Sequence, residues 1–131
     1  MTNPLIGKWT YRSFLNVTTD PVPFEKILFG EGTLEFTEAP MQTIAGTIGG
    51  EGWSLDLTGS MTYGNPMTAQ FQGKGVIDDV EWIYQYIGYL VNQWPNGVDQ
   101  VPAIVGSIVR MIPHGSGPAG VTASWIAVRQ S

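Results

Sequence analysis

The chain has 131 residues, of which only 13% are charged, and its formal net charge is −5. That length suits one domain with a substantial core, and we expect a single β-barrel domain over residues 1–131. The acidic balance argues against nucleic acid and against membrane as partners, because polyanions and anionic lipids repel a negative surface.

The chain has no cysteine, which excludes disulfides, cysteine nucleophiles and thiolate metal sites. The N-terminal sequence MTNPLIGKW lacks the basic segment and the apolar core of a signal peptide. We therefore predict a cytoplasmic protein.

The glycine-rich stretch GTIGGEG lacks the Gly-Lys-Ser/Thr ending of a phosphate-binding loop, and we predict that the protein uses no cofactor.

Alternation of apolar and polar residues with a period of two marks most of the chain as strand. The clearest example is WSLDLTGSMTY, residues 53–63, in which Trp53, Leu55, Leu57, Met61 and Tyr63 share one face. The turn sequence YGNP predicts that this strand forms a hairpin with the next. The pattern predicts strands at about 6–15, 26–37, 43–48, 53–63, 67–76, 80–91, 103–112 and 121–129.

Glycine recurs inside these strands, in the phrases AGTI, LTGSM, FQGKG and IVGSIV. Glycine within a strand permits the sharp coiling that a small closed sheet needs. Eight short strands joined mostly by tight turns predict an all-β protein, an eight-stranded antiparallel up-and-down barrel.

The sequence GKW at Gly7–Trp9 resembles the Gly-x-Trp start of the calycin superfamily, which includes lipocalins, fatty-acid-binding proteins and avidins. The resemblance implies that Trp9 plugs one end of the barrel and that a basic residue near the end of the last strand lies across its ring. Arg129, in ASWIAVRQ, has the matching position. First and last strands are neighbours in a closed barrel, so we expect a cation–π pair between Trp9 and Arg129.

The chain departs from the avidin pattern at two positions. Tyr11 stands where avidins place a biotin-contacting asparagine, and Leu15 stands where they place a serine. Biotin binding is therefore not expected.

Alternation directs many aromatic rings into the predicted barrel. They could fill it, or leave room for one small ligand. Tyrosine hydroxyls favour a cavity, because a buried hydroxyl needs a hydrogen-bond partner. We therefore predict non-catalytic binding of a small, mostly apolar or aromatic molecule. The predicted ligand-binding residues are Tyr11, Trp53, Tyr63, Phe71, Trp82, Tyr84, Tyr86 and Trp125.

The strands at 80–91 and 103–112 are apolar on both faces, so both faces should be covered. We predict that their aliphatic faces join subunits into a homodimer or a tetramer, since exposed apolar patches usually mark interfaces. Alternatively, the loop at 92–102 folds back over them. A self-assembling structural barrel without a ligand is a further possibility that these strands leave open.

A small lyase or isomerase that uses Tyr84, Tyr86 and Arg110 is the enzymatic alternative, with tyrosine as acid or base. It requires Arg110 to point inward, and our assignment of strand parity counts against that. We expect Arg110 to pair with Glu81 across a subunit interface, or else to anchor a ligand carboxylate.

His114, the one histidine, is expected to face solvent in a loop, and no metal site can be built around it from the sequence.

Overall fold

The computed structural model describes residues 5–16, 28–91, 95–98, 100–113 and 119–130. All eight predicted strands are present, each ending within two residues of its predicted bounds. They are β1 (Gly7–Leu15), β2 (Leu28–Thr37), β3 (Thr43–Gly50), β4 (Trp53–Thr62), β5 (Thr68–Ile77), β6 (Val80–Leu90), β7 (Ala103–Arg110) and β8 (Thr122–Arg129).

The eight strands form one closed antiparallel barrel in which each strand pairs with the next in the chain. Strand β8 returns to pair with β1, with Trp9 opposite Arg129 and Leu15 opposite Ala123. The predicted fold class is therefore confirmed, and the architecture is compatible with a calycin-like fold. Within the described residues, no helix has the length and apolar character needed to cross a membrane.

The alternation that predicted the strands decides which side chains fill the barrel. On β1, Trp9, Tyr11 and Ser13 are buried, while the residues between them are exposed. On β8, Ala123, Trp125 and Ala127 are buried in the same alternating way. Each strand thus has one dry face and one wet face, as expected when only the inner side of a sheet is covered.

A cluster of aromatic rings fills the middle of the barrel. The rings of Phe71 and Tyr86 are stacked, with centroids 4.8 Å apart. Phe36 meets Phe71 edge-on at 5.5 Å, and Trp125 meets it edge-on at 5.9 Å. These are the offset and edge-to-face geometries that aromatic pairs prefer, so the cluster forms a rigid block inside the barrel.

One end of the barrel is sealed by Trp9 and Arg129. Trp9 is fully buried, and its indole Nε1 donates a hydrogen bond to the Leu5 carbonyl oxygen at 2.9 Å. The Arg129 guanidinium lies over the indole ring, 4.6 Å from its centroid, and its Nη1 donates to the Ile6 carbonyl oxygen at 3.1 Å. The turn before β1 and the end of β8 are thereby fixed to one another.

Gly7 is the first residue of the Gly-x-Trp sequence, and the seal explains why it is glycine. Its φ angle is +134°, a conformation that residues with a Cβ atom rarely adopt. A Cβ atom at this position would lie 2.9 Å from Arg129 Nη1. A side chain there would push the guanidinium away from Trp9.

The strand glycines are needed where neighbouring backbones approach closely. A Cβ atom on Gly106 would lie against the Ile87 carbonyl oxygen and 2.7 Å from the Gly88 Cα atom. A Cβ atom on Gly59 would lie 2.5 Å from the Phe71 Cα atom. These contacts support the interpretation that the glycines permit tight coiling of the wall.

An apolar row crosses the outer face of β6, β7 and β8. Tyr89 pairs with Val105, which pairs with Ile126, and the three side chains are 42%, 37% and 39% exposed. In the described part of the 92–102 loop, Val98 and Val101 are themselves exposed, so these two do not cover the row. Association into a homodimer or a tetramer through this face stays a prediction.

Candidate functional site

A cavity of about 360 Å³ occupies the barrel end opposite the Trp9–Arg129 seal. Six strands contribute to its walls: β1, β2, β4, β5, β6 and β7. Its volume lies near the lower end of the range for small-molecule pockets, roughly 300–1,000 Å³. The cavity therefore has room for a molecule of one or two rings.

Small residues at inward positions create this space. Ser13, Gly30 and Gly73 lie on the inner face towards the open end, whereas the inner face at the sealed end carries large side chains such as Trp9 and Phe36. A Cβ atom on Gly73 would lie 3.1 Å from the Tyr86 ring. The same alternating pattern thus gives one half filled by side chains and one half in which the described residues surround a cavity.

Half-buried aromatic side chains line the upper walls. Trp53, Trp82 and Phe29 border the cavity and are neither fully buried nor fully exposed. Trp82 meets the Tyr84 ring edge-on at 6.2 Å, and Phe29 does so at 6.0 Å. Such walls offer both ring faces and ring edges to a flat apolar molecule.

Phe29 enters the cavity because β2 carries a bulge. The register between β1 and β2 shifts so that Ser13 pairs with Gly30, while Phe14 pairs with Leu28. Phe29 is the extra residue, and a bulge re-aims the side chain that it leaves unpaired. Strict alternation along β2 assigns Phe29 to the outer face, so the sequence pattern alone does not predict that its ring borders the cavity.

Two tyrosine hydroxyls lie below these walls. Tyr11 and Tyr86 both line the cavity, are almost completely buried and lie close enough to influence the pKa of one another. Burial raises the pKa of Tyr11 to about 12 and also raises the pKa of Tyr86, because a phenolate loses its hydration there. Both groups are therefore neutral at physiological pH and can donate and accept hydrogen bonds.

Ser13 adds a third hydroxyl to the cavity wall. Its side chain is fully buried, and among the described side chains its Oγ atom alone is buried without a hydrogen-bond partner. Burial is the largest influence on the pKa of Tyr11, and the neighbouring Ser13 acts in the opposite direction and lowers that pKa. The Ser13 Oγ atom nevertheless makes no hydrogen bond of good geometry. Buried polar groups are rarely left unpaired.

Arg110 points inward, which corrects the expectation from sequence. It pairs in register with Tyr84, and its Nε donates to the Tyr84 hydroxyl at 3.5 Å. Its guanidinium lies 5.2 Å from the centroid of the Phe29 ring. Within the same chain, Glu81 lies 3.7 Å from the Lys74 ammonium, and its pairing with Arg110 across a subunit interface stays a prediction. Arg110 shares the inner face of β7 with Ile104 and Ile108, which are buried.

Five of the eight predicted ligand-binding residues line the cavity: Tyr11, Trp53, Trp82, Tyr84 and Tyr86. Phe71 and Trp125 pack against Tyr86 but do not border the cavity.

Tyr63 lies away from both groups. It follows the last residue of β4 and is 38% exposed, so its predicted inward position is wrong. The ligand-binding role of the other seven residues stays a prediction.

Charged groups are few around the cavity. Glu31 and Asp78 border it, and Asp78 lies in the exposed two-residue turn between β5 and β6. In the part of the chain that the structure describes, no three histidine, cysteine or carboxylate side chains come together as metal ligands. His114 lies outside the described residues.

Comparison of the chain with protein-family models, with curated proteins and with solved structures finds no match in any of the three. The cavity's chemistry therefore carries the functional argument.

Burial of Tyr11 predicts a loss of stability at alkaline pH. Between pH 10 and 12 the unfolded chain releases the Tyr11 proton while the folded protein keeps it, so the folded state is destabilised by about 1.4 kcal/mol per pH unit. Below pH 10 the effect is absent. Urea unfolding at pH 8 and pH 11 should show a smaller loss in Tyr11→Phe than in the natural protein.

Tyr89→Phe is the matched control, because Tyr89 lies on the outer face and is 42% exposed. It should lose as much stability as the natural protein over this pH range. Equal losses in Tyr11→Phe and Tyr89→Phe would contradict the burial of the Tyr11 hydroxyl.

Proposed function

We propose that the protein binds one small, largely aromatic molecule in the open end of the barrel, without catalysing a reaction. The observation that carries the proposal is the cavity of about 360 Å³, bordered by Trp53, Trp82 and Phe29 above and by tyrosine hydroxyls below. Apolar walls with a few convergent polar groups are the usual composition of a small-ligand pocket.

Burial of apolar surface would provide most of the affinity. Leu55, Ile77 and Ile108 add aliphatic surface between the aromatic walls. Transfer of apolar surface out of water contributes about 25 cal/mol per Å², and the rigid cluster around Phe71 and Tyr86 limits collapse of the cavity when it is empty. A pre-formed cavity lowers the cost of ordering on binding.

We further propose that the chain belongs to the calycin superfamily. The Gly-x-Trp start, the closed eight-stranded barrel and the guanidinium of Arg129 over the Trp9 indole support this relationship. These features concern the sealed end of the barrel and leave the identity of the ligand open.

Filling the cavity with a larger side chain should weaken binding. Ile77 is half-buried and borders the cavity, so the larger ring of Ile77→Trp would occupy ligand space. We expect naphthalene to bind the natural protein and to bind Ile77→Trp at least about tenfold more weakly, a loss of about 1.4 kcal/mol. Isothermal titration calorimetry with benzene, naphthalene and anthracene measures this.

The control is Ile126→Trp, which makes the same substitution on the outer face, where Ile126 is 39% exposed. It should bind naphthalene as the natural protein does. The proposal fails if none of the three hydrocarbons binds, or if the two substitutions weaken binding equally.

A lyase or isomerase acting on an enolisable aromatic ketone is the second candidate. It is favoured by the inward position of Arg110, whose Nε lies 3.5 Å from the Tyr84 hydroxyl. A guanidinium can stabilise the developing enolate oxygen while the tyrosine beside it, as general base and then general acid, takes the proton from the carbon next to the carbonyl group and returns one to it.

Solvent-deuterium exchange at the carbon between the ring and the carbonyl group of 2-tetralone tests this candidate by NMR. The protein should accelerate exchange over buffer, and Tyr84→Phe should reduce the acceleration by about tenfold or more. Exchange at the buffer rate in the presence of the natural protein would remove the enzymatic candidate and leave the binding proposal standing.

A further inference from the structure

The unpaired hydroxyl of Ser13 is the unusual polar feature of the cavity. Ser13 borders the cavity, its side chain is 0% exposed, and its Oγ atom has no hydrogen-bond partner. A buried hydroxyl without a partner destabilises the folded protein. A ligand atom that hydrogen-bonds to it would remove this penalty when the ligand binds.

Gly30 keeps the space above this hydroxyl open. A Cβ atom at Gly30 would lie 3.1 Å from Ser13 Oγ and 3.6 Å from the Tyr11 ring, so any side chain there would cover the hydroxyl. No positive φ angle is found at Gly30, and its backbone is therefore accessible to alanine. Its role here is the space that a missing side chain leaves.

The cavity wall around Ser13 favours a neutral molecule. Glu31 and Asp78 border the cavity as carboxylates, and the Arg110 guanidinium lies behind the wall, over the Phe29 ring. None of the described residues that border the cavity is a cation. A ligand carboxylate placed beside Ser13 would therefore lose its hydration without direct contact with a cation.

We infer that the ligand is a neutral aromatic molecule with a hydroxyl or carbonyl oxygen, of the phenol or aryl-ketone class, and that this oxygen hydrogen-bonds to Ser13 Oγ in the space above Gly30. The inference rests on the proposed binding function and specifies its ligand class. Since a serine hydroxyl both donates and accepts, it fits either form of oxygen.

A pair of probes separates the oxygen contact from binding itself. Naphthalene and 2-naphthol have the same ring system, and 2-naphthol adds one hydroxyl. Calorimetric titration at neutral pH gives the Kd of each probe, and the ratio of the two Kd values isolates the contribution of the hydroxyl. We expect Ser13→Ala to shift this ratio about tenfold against 2-naphthol while the Kd of naphthalene stays nearly unchanged.

Gly30→Ala supplies a second variant, in which Ser13 is kept but its hydroxyl is covered. It should shift the ratio in the same direction. Ser60→Ala is the matched control, because Ser60 is exposed on the outer face of β4, and it should leave both Kd values as they are in the natural protein. In addition, Ser13→Ala should not lower the melting temperature of the ligand-free protein, since the hydroxyl that it removes is unpaired.

The outcomes distinguish this inference from the function on which it rests. If naphthalene binds but the ratio stays the same in Ser13→Ala and Gly30→Ala, the oxygen contact is overturned and the binding function stands. If neither probe binds the natural protein, both are overturned. A marked fall in melting temperature for Ser13→Ala would show that the hydroxyl already has a partner, and would also overturn the inference.

Discussion

The stacking of the Arg129 guanidinium on the Trp9 indole joins the two ends of the chain, and the rest of the barrel depends on it. Strands β1 and β8 are far apart in sequence, so their pairing must compensate for the entropy of closing nearly the whole chain into a ring. The guanidinium contributes a cation–π contact at 4.6 Å and a hydrogen bond to the Ile6 carbonyl oxygen. Closure gives each of the eight described strands a partner on both sides, whereas a small open sheet would expose two strand edges.

Because one end of the barrel is sealed, the proposed ligand would enter at the end that holds the cavity. The sealed half contains Trp9 and the cluster around Phe71, and both residues are buried. The other half contains Ser13 and Gly30 at inward positions, and its hydroxyl groups lie beneath aromatic walls. The two ends of the barrel therefore differ. One is filled by packed side chains, and the other holds a cavity whose wall includes the uncharged hydroxyl-bearing residues Tyr11, Ser13 and Tyr86.

The sequence predicted the strands because period-two alternation is a local signal that survives folding. It predicted ring closure from the number of short strands, the tight turns between them and the resemblance of the first and last strands to those of calycins. The prediction failed for side chains whose position depends on where a strand ends or on how neighbouring strands pair. Tyr63 continues the alternation of β4, but the strand ends at Thr62. Both faces of β7 are apolar, so hydropathy did not decide the side of Arg110, whereas pairing with Tyr84 does. Phe29 enters through a bulge, and the unpaired state of Ser13 depends on atoms from several strands.

Replacement of Arg129 tests the central role of the seal most directly. The free energy of unfolding, measured by urea titration, should fall by about 2–4 kcal/mol in Arg129→Met, which removes a cation–π contact and a charged hydrogen bond. Arg12→Met is the matched control, because Arg12 makes an exposed ion pair with Glu31 at 3.6 Å, and it should change stability by less than about 1 kcal/mol. Equal, small changes in the two variants would contradict the account, because the barrel would then close without its guanidinium seal.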